Sequence, residues 1–253
     1  MAEAGLARAA LVTGAGRRIG RAVALGLART GFDVAVHCRT SNVAAEETAA
    51  AVRALGRRAA VLAADLADPA AVAGLVPAAR AALGPLGVLV NNASLFEPDE
   101  VGALDPALWE RHFAVNLRAP VFLAEAFAAQ VEHAGAIVNI IDQRVWKLTP
   151  RFFSYTLAKA ALWTATQTLA QALAPKIRVN AVGPGPTLAN SRQAPEDFER
   201  QRAALLLGRG PSPEEIADAV AFILAARAMT GQMIALDGGQ HLAWQTPDVG
   251  GRE

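Results

Sequence analysis

The chain has 253 residues, 53% hydrophobic and 19% charged, which is enough apolar material to bury a large core in one α/β domain or in two small ones. Its 24 Lys and Arg nearly balance 23 Asp and Glu for a formal charge of +1, so it carries no basic footprint for nucleic acid or for an anionic membrane surface. The single cysteine, Cys38, excludes an intrachain disulfide and a multi-cysteine metal site, fits a reducing compartment, and reads as a small hydrophobe ending a strand; no metal is expected.

The first ten residues carry Glu3 and Arg8 and lack the apolar stretch of a secretory signal. Later apolar runs are broken by charges such as Arg118, Glu125 and Glu132 before they reach the ~20 residues of a membrane span. A cytoplasmic protein is expected. Short apolar runs then alternate with longer Ala-rich stretches, which is the pattern of successive βαβ units and a mainly parallel sheet. Residues 9–12 read as the first strand and 19–30 as its helix, with Val23 and Leu27 on one face. A strand over 34–37 and a helix over 43–55 follow, then a strand over 61–64 ending at Asp65, and a helix over 69–83. The run 87–90 is wholly apolar after its glycine, as a strand buried on both faces requires. A long helix over 106–131 precedes a strand over 136–141; a helix over 155–174, a strand over 177–182 and a last strand near 232–236 complete the pattern. No low-complexity linker separates two halves. The predicted architecture is α/β, with a single Rossmann-type domain whose core spans about 9–242 and whose doubly wound parallel sheet is flanked by helices on both faces. The Pro/Gly-rich stretch 183–186 and the polar residues up to 195 predict a mobile loop, against the plainer alternative of an ordinary surface connection.

Two local patterns carry chemistry. Thr13-Gly14-Ala15-Gly16-Arg17-Arg18-Ile19-Gly20 lies between the first strand and its helix, where glycines let the backbone approach a pyrophosphate and the helix start offers N–H groups to it. Alone this pattern is weak, and a plain strand-to-helix turn competes with it. The second strand ends in His37-Cys38-Arg39-Thr40-Ser41 instead of a carboxylate. Arg39 would pair with a 2′-phosphate, and Thr40 or Ser41 would donate hydrogen bonds to it, so NADPH is favoured over NADH. Tyr155, the only tyrosine, and Lys159 stand four residues apart on one helix face, and a cation beside a phenol lowers its pKa toward a useful range.

Together these features resemble the short-chain dehydrogenase/reductase family over nearly the whole chain. The glycine turn, Asp65-Leu66, Asn91-Asn92-Ala93, Asn116, Tyr155 with Lys159, Pro184-Gly185 and Asp237-Gly238-Gly239 fall in family order. The resemblance implies that Gly14, Arg18, Ile19 and Gly20 hold the pyrophosphate end of the cofactor, that Asp65 and Leu66 contact its adenine, and that Asn92, Ala93 and Ser94 line it. It also implies that Lys159 bonds the nicotinamide ribose, that Pro184, Gly185 and Thr187 meet the carboxamide end, that Tyr155 protonates the substrate, and that Asn116 holds a proton-relay water.

Two departures sharpen the resemblance. The position thirteen residues before the tyrosine, where the family has serine, is Asp142, and Arg18 replaces a family glycine. With Ser94 and Phe96 these resemble the pteridine reductases and dihydromonapterin reductases. On that resemblance Arg18, Ser94, Phe96, Asp142 and Tyr155 form the substrate site, Phe96 stacking on a pterin and Asp142 relaying a proton. The expected activity is NADPH-dependent reduction of a dihydropterin. The alternatives are reduction of an ordinary ketone, and a non-catalytic NADPH-binding sensor. A homotetramer is expected from the resemblance, in which the tail around Trp244 either reaches toward a neighbour's substrate site or packs at the interface. Phe152 replaces a tyrosine often seen in the subgroup, and Gln143-Arg144-Val145-Trp146 has no assigned role.

Overall fold

The computed structural model describes residues 5–40, 43–189 and 192–244; Ser41, considered above as a phosphate donor, lies outside them. Seven strands, β1 (Ala9–Val12), β2 (Asp33–Cys38), β3 (Ala59–Ala63), β4 (Val88–Asn91), β5 (Gly135–Ile140), β6 (Ile177–Pro184) and β7 (Met233–Leu236), form one sheet in the order β3-β2-β1-β4-β5-β6-β7. Every neighbouring pair is parallel. The chain starts in the middle, winds outward through β2 and β3, then returns to the other side of β1 through β4. The crevice between β1 and β4 therefore opens at the strand carboxyl ends, where open α/β sheets take their ligands.

Because strand side chains alternate between faces, each strand feeds two cores. Ala10, Val12, Val34, Val36, Val88 and Val90 pack on one side beneath α1 (Arg18–Arg29), α2 (Val43–Ala54) and α8 (Pro213–Ala225). Ala9, Leu11, Ala35, Leu89, Ile137 and Val179 pack on the other, beneath α3 (Pro69–Leu83), α5 (Ala119–Gln130) and α6 (Phe153–Leu173). Helices thus cover both faces, as expected.

The structure divides the long helix expected over 106–131. It runs as α4 (Pro106–Phe113), a π-helical turn over Ala114–Arg118, and then α5. Pro120 has no N–H to give the Asn116 carbonyl the bond an α-helix would use, and the Ala119 N–H reaches back to the Ala114 carbonyl instead. Two further helices, α7 (Pro195–Ala203) and α8, were not anticipated. For α8 the signal was present: Ser212 and Glu215 form a reciprocal capping box with Pro213 at the helix start. Among the described residues no helix is long and apolar enough to cross a membrane, and no group of His, Cys, Asp or Glu could hold a metal ion.

Candidate active site

The glycine turn follows β1. Gly14 adopts φ +63°, which a side chain would strain, and a Cβ on Gly20 would lie 2.2 Å from the Gly14 carbonyl oxygen, so α1 starts directly against the turn. Three neighbours brace the turn. The Asn92 amide donates to the Thr13 carbonyl at 2.8 Å and to the Gly14 carbonyl at 3.2 Å, and Thr13 Oγ1 accepts the Asn92 and Ala93 N–H groups at 2.9 Å each. Buried His37, at the end of β2, accepts the Gly14 N–H on Nδ1 at 3.1 Å, so its Nε2 donates to the Ala64 carbonyl at 3.0 Å. Burial holds its pKa below the ordinary histidine value, which keeps the acceptor nitrogen free of a proton.

At the start of α1, Arg17 lends no side-chain oxygen to the first-turn N–H groups, whereas Asp68, Asp105 and Ser212 cap α3, α4 and α8. Arg18 and Ile19 of that turn line a cavity of about 1240 Å³ along the strand carboxyl ends. Its wall also carries Arg144, Arg151 and Arg192 against two carboxylates, Asp142 and Asp197. An uncapped helix start and a surplus of guanidinium groups fit an anionic dinucleotide.

Three of the four expected catalytic residues, Asp142, Tyr155 and Lys159, line the cavity; Asn116 does not. Asp142 follows β5; its Oδ1 accepts the Arg144 N–H at 2.9 Å, starting a short 3-10 turn, and its Oδ2 accepts the Tyr155 hydroxyl at 2.8 Å. The carboxylate therefore both caps a turn and holds the phenol. Lys159, one helical turn beyond Tyr155, is buried and donates to the Ile140 carbonyl at 2.8 Å, with Nζ 5.9 Å from the Tyr155 ring centre. Burial pushes the Asp142 carboxyl above the usual carboxylate value and lowers Lys159 to about 8. Burial first, then the Asp142 charge and hydrogen bond, hold the Tyr155 phenol well above 10. This corrects the expectation that Lys159 lowers it. The desolvated phenol bound to a carboxylate keeps its proton, and the ammonium is committed to a backbone carbonyl.

Tyr155 sits near the start of α6, reached through Phe152, whose φ of +58° is unusual for a side-chain-bearing residue. Arg18, at φ +55°, is the other such residue among those described, and both line the cavity. Such conformations cost roughly 1–3 kcal/mol each and persist where the surroundings enforce them. Arg18 is enforced by its guanidinium, which donates to the Leu188 and Ala189 carbonyls at 3.0 and 2.8 Å and ties α1 to the loop after β6. Phe152 stacks on Phe96 with centroids 4.2 Å apart and planes 6° apart. One face of the ring expected to stack on a substrate is thus taken by Phe152; the edge contact of Phe96 with Tyr155 is 4.7 Å. Arg144 lies over the Phe152 ring at 5.1 Å.

Of the remaining expected residues, Asn92, Ser94, Pro184, Gly185 and Thr187 line the cavity. Ala93 supports Gly14, whose added Cβ would stand 3.0 Å from its Cα. Arg39 and Thr40 are exposed after β2, Asp65 is exposed after β3 with Oδ1 accepting the Ala67 N–H, and Leu66 is buried; these four lie off the cavity along the same sheet edge. Asn116 is fully buried, and its side chain is committed to the neighbouring loop: Oδ1 accepts the Leu95 N–H at 2.8 Å and the Ser94 hydroxyl at 3.1 Å, and Nδ2 donates to the Leu95 carbonyl at 2.8 Å. The unassigned segment after Asp142 packs against the turn over Gln240–Leu242: Trp146 meets the His241 ring edge-on at 5.3 Å, and Lys147 donates to the Gln240 carbonyl at 3.2 Å.

A family profile described as enoyl-(acyl carrier protein) reductase matches residues 14–241. The chain belongs to the short-chain dehydrogenase/reductase family. Members of this family are oxidoreductases that use NAD(P)H. Similar members include cis-4-hydroxycyclohexanecarboxylate dehydrogenase of Sinomonas cyclohexanicum, 36% identical over 94% of this chain and 98% of that protein. The 3-oxoacyl-[acyl-carrier-protein] reductase FabG of Staphylococcus aureus is 31% identical over 94% of this chain and 99% of its own. Among solved structures, FolM Alternative dihydrofolate reductase 1 from Brucella suis, in complex with NADP, is 57% identical with a TM-score of 0.92, covering 95% of this chain and 97% of that one. The Brucella canis protein described in the same words, also with NADP, is 55% identical with a TM-score of 0.94, covering 98% and 100%.

Proposed function

We propose that this member of the family is a single-domain, NADPH-dependent reductase of a pterin-type substrate such as a dihydropterin or dihydromonapterin. The observation that carries the reading is the hydrogen bond between Asp142 and Tyr155. A ketone needs one proton donor, which a tyrosine supplies with a neutral hydroxyl beside it. A ring imine in a heterocycle edged with N–H groups also calls for an acceptor and a proton reservoir, and a carboxyl fills both roles. The reduced nicotinamide supplies hydride when bound. Asp142, its pKa raised by burial, takes up a proton and passes it to the Tyr155 oxygen while the phenol proton goes to the substrate nitrogen. Lys159 orients the ribose, Asn116 fixes the loop of Ser94 and Leu95, and Phe96 offers its remaining face to the flat ring. The 55–57% identity to two proteins described as alternative dihydrofolate reductases supports this reading over the carbonyl chemistry of relatives at 31–36%.

Arg39 carries the preference for NADPH, through a charge-assisted contact to the 2′-phosphate, with Thr40 beside it. Exposed Phe122 on α5 and Leu157 on α6 support a homotetramer built on these helices.

Exchanging Asp142 for serine tests the assignment. Asp142→Ser restores the hydroxyl of the wider family and is expected to lose pterin reduction while sparing any ketone reduction. Equal loss on both substrates would show that the carboxyl serves the fold of the site and not pterin chemistry.

A further inference from the structure

A second buried histidine lies outside all the residues assigned so far. His112, at the end of α4, is completely buried. Its Nε2 accepts the Glu97 backbone N–H at 3.3 Å, so the ring proton resides on Nδ1, which stands 2.6 Å from Ser154 Oγ. Ser154 accepts that proton and gives its own hydroxyl hydrogen to Asp99 Oδ2, and its backbone N–H reaches the same carboxylate at 3.1–3.2 Å. Each donor meets one acceptor, so the chain from Glu97 through His112 and Ser154 to Asp99 has a single direction.

What the chain joins gives it meaning. Glu97 directly follows Phe96, and Ser154 directly precedes Tyr155. The Phe153 N–H closes the same junction on the Asp99 carbonyl at 3.2 Å. The His112 ring stands edge-on to Tyr155 with centroids 6.1 Å apart. Arg111 on α4, the carboxylates of Glu97 and Asp99 on the loop, and Ser154 and Tyr155 on α6 are the charged and titratable groups facing the ring. Burial outweighs the two carboxylates and leaves its pKa below 6.5, so the ring is neutral at neutral pH.

We propose that His112 is a positioning residue of this active site: its neutral Nδ1–H form fastens the Phe96 loop to the Tyr155 turn, and a proton on Nε2 releases the Glu97 end and with it Phe96. The inference rests on Phe96 and Tyr155 flanking the substrate, but not on that substrate being a pterin. Substrate affinity, rather than proton transfer or cofactor binding, should follow the state of His112.

The test uses the NADP-bound enzyme labelled with ¹⁵N-histidine, and kinetics on whichever dihydropterin or ketone the wild type turns over. His112, identified in the wild type by its through-space contact with the ring of Tyr155, the chain's single tyrosine, is expected as the Nδ1–H tautomer, opposite to the Nε2–H form of His37. His112→Asn keeps a donor toward Ser154 but loses the acceptor for Glu97. It and Ser154→Ala should raise KM for the substrate roughly three- to tenfold, with kcat and the KM for NADPH changed less than about twofold. The wild type should lose substrate affinity below pH 6.5, and His112→Asn should not. An Nε2–H tautomer at His112 would overturn the proposal even if neither variant folds. So would a loss confined to kcat, or a KM for NADPH that rises as much as that for substrate. Activity on ketones alone would remove the pterin reading and leave this one standing.

Discussion

Tyr155 gives its hydroxyl to Asp142 Oδ2 at 2.8 Å, joining the first turn of α6 to the residue just past β5. Both groups are desolvated, and both hold protons more tightly than they would in water. Tyr155→Phe removes the terminal donor while keeping the ring against Phe96, so kcat should fall by about 10²–10⁴-fold with NADPH binding intact. Lys159→Ala should weaken NADPH binding as well. Steady-state kinetics with a direct titration of NADPH check both, and near wild-type kcat in Tyr155→Phe would remove the proton-donor role.

Lys159 carries a cost in stability. Its folded pKa of about 8 lies below the 10.5 of an exposed lysine, so the unfolded chain binds more protons between these values. The burial penalty is complete below pH 8 and fades toward pH 10.5, at about 3 kcal/mol in full. The bond to the Ile140 carbonyl returns about 1 kcal/mol of it. Lys159→Met, compared with wild type by urea unfolding without cofactor, should be about 1–2 kcal/mol more stable at pH 7 and lose that gain by about pH 10. A variant destabilised at pH 7 would show that the ammonium is well satisfied where it lies.

Arg39 stands exposed just past β2, where a carboxylate would repel a 2′-phosphate. Arg39→Asp should abolish or reverse a preference for NADPH over NADH, a change of roughly 1.5–3 kcal/mol in relative binding. The ratio of kcat/KM for the two cofactors measures it, and equal use of both by the wild type would refute the assignment.

Much of this site was legible because its parts are local in sequence. The turn after β1 and the Tyr155/Lys159 pair each declare themselves within a few residues, Asp142 is found from the tyrosine by the family's spacing, and the alternation of apolar runs with Ala-rich stretches carries the sheet and its layers. What was not legible depends on contacts between distant elements. The break before Ala119 was foreshadowed by Pro120, which stands fourteen residues into the run 106–131 that was read as one helix. The Tyr155 pKa was misjudged because helix spacing shows that Lys159 is near without showing that its ammonium turns to Ile140. Phe96 was read as a free stacking platform, since nothing in the sequence reveals that Phe152 adopts a left-handed backbone and covers one face. His37 and His112 carry no motif at all; their roles appear only when β2 meets the glycine turn and when α4, the Phe96 loop and α6 converge.

The central claim is tested most directly by the NADPH consumption of the wild-type enzyme, with dihydrobiopterin, dihydromonapterin, dihydrofolate and a panel of ketones compared at matched concentrations. Turnover of at least one dihydropterin or dihydrofolate is expected, with a kcat/KM well above that of every ketone. Efficient ketone reduction with no turnover of any of the three would contradict it and make the protein a general carbonyl reductase.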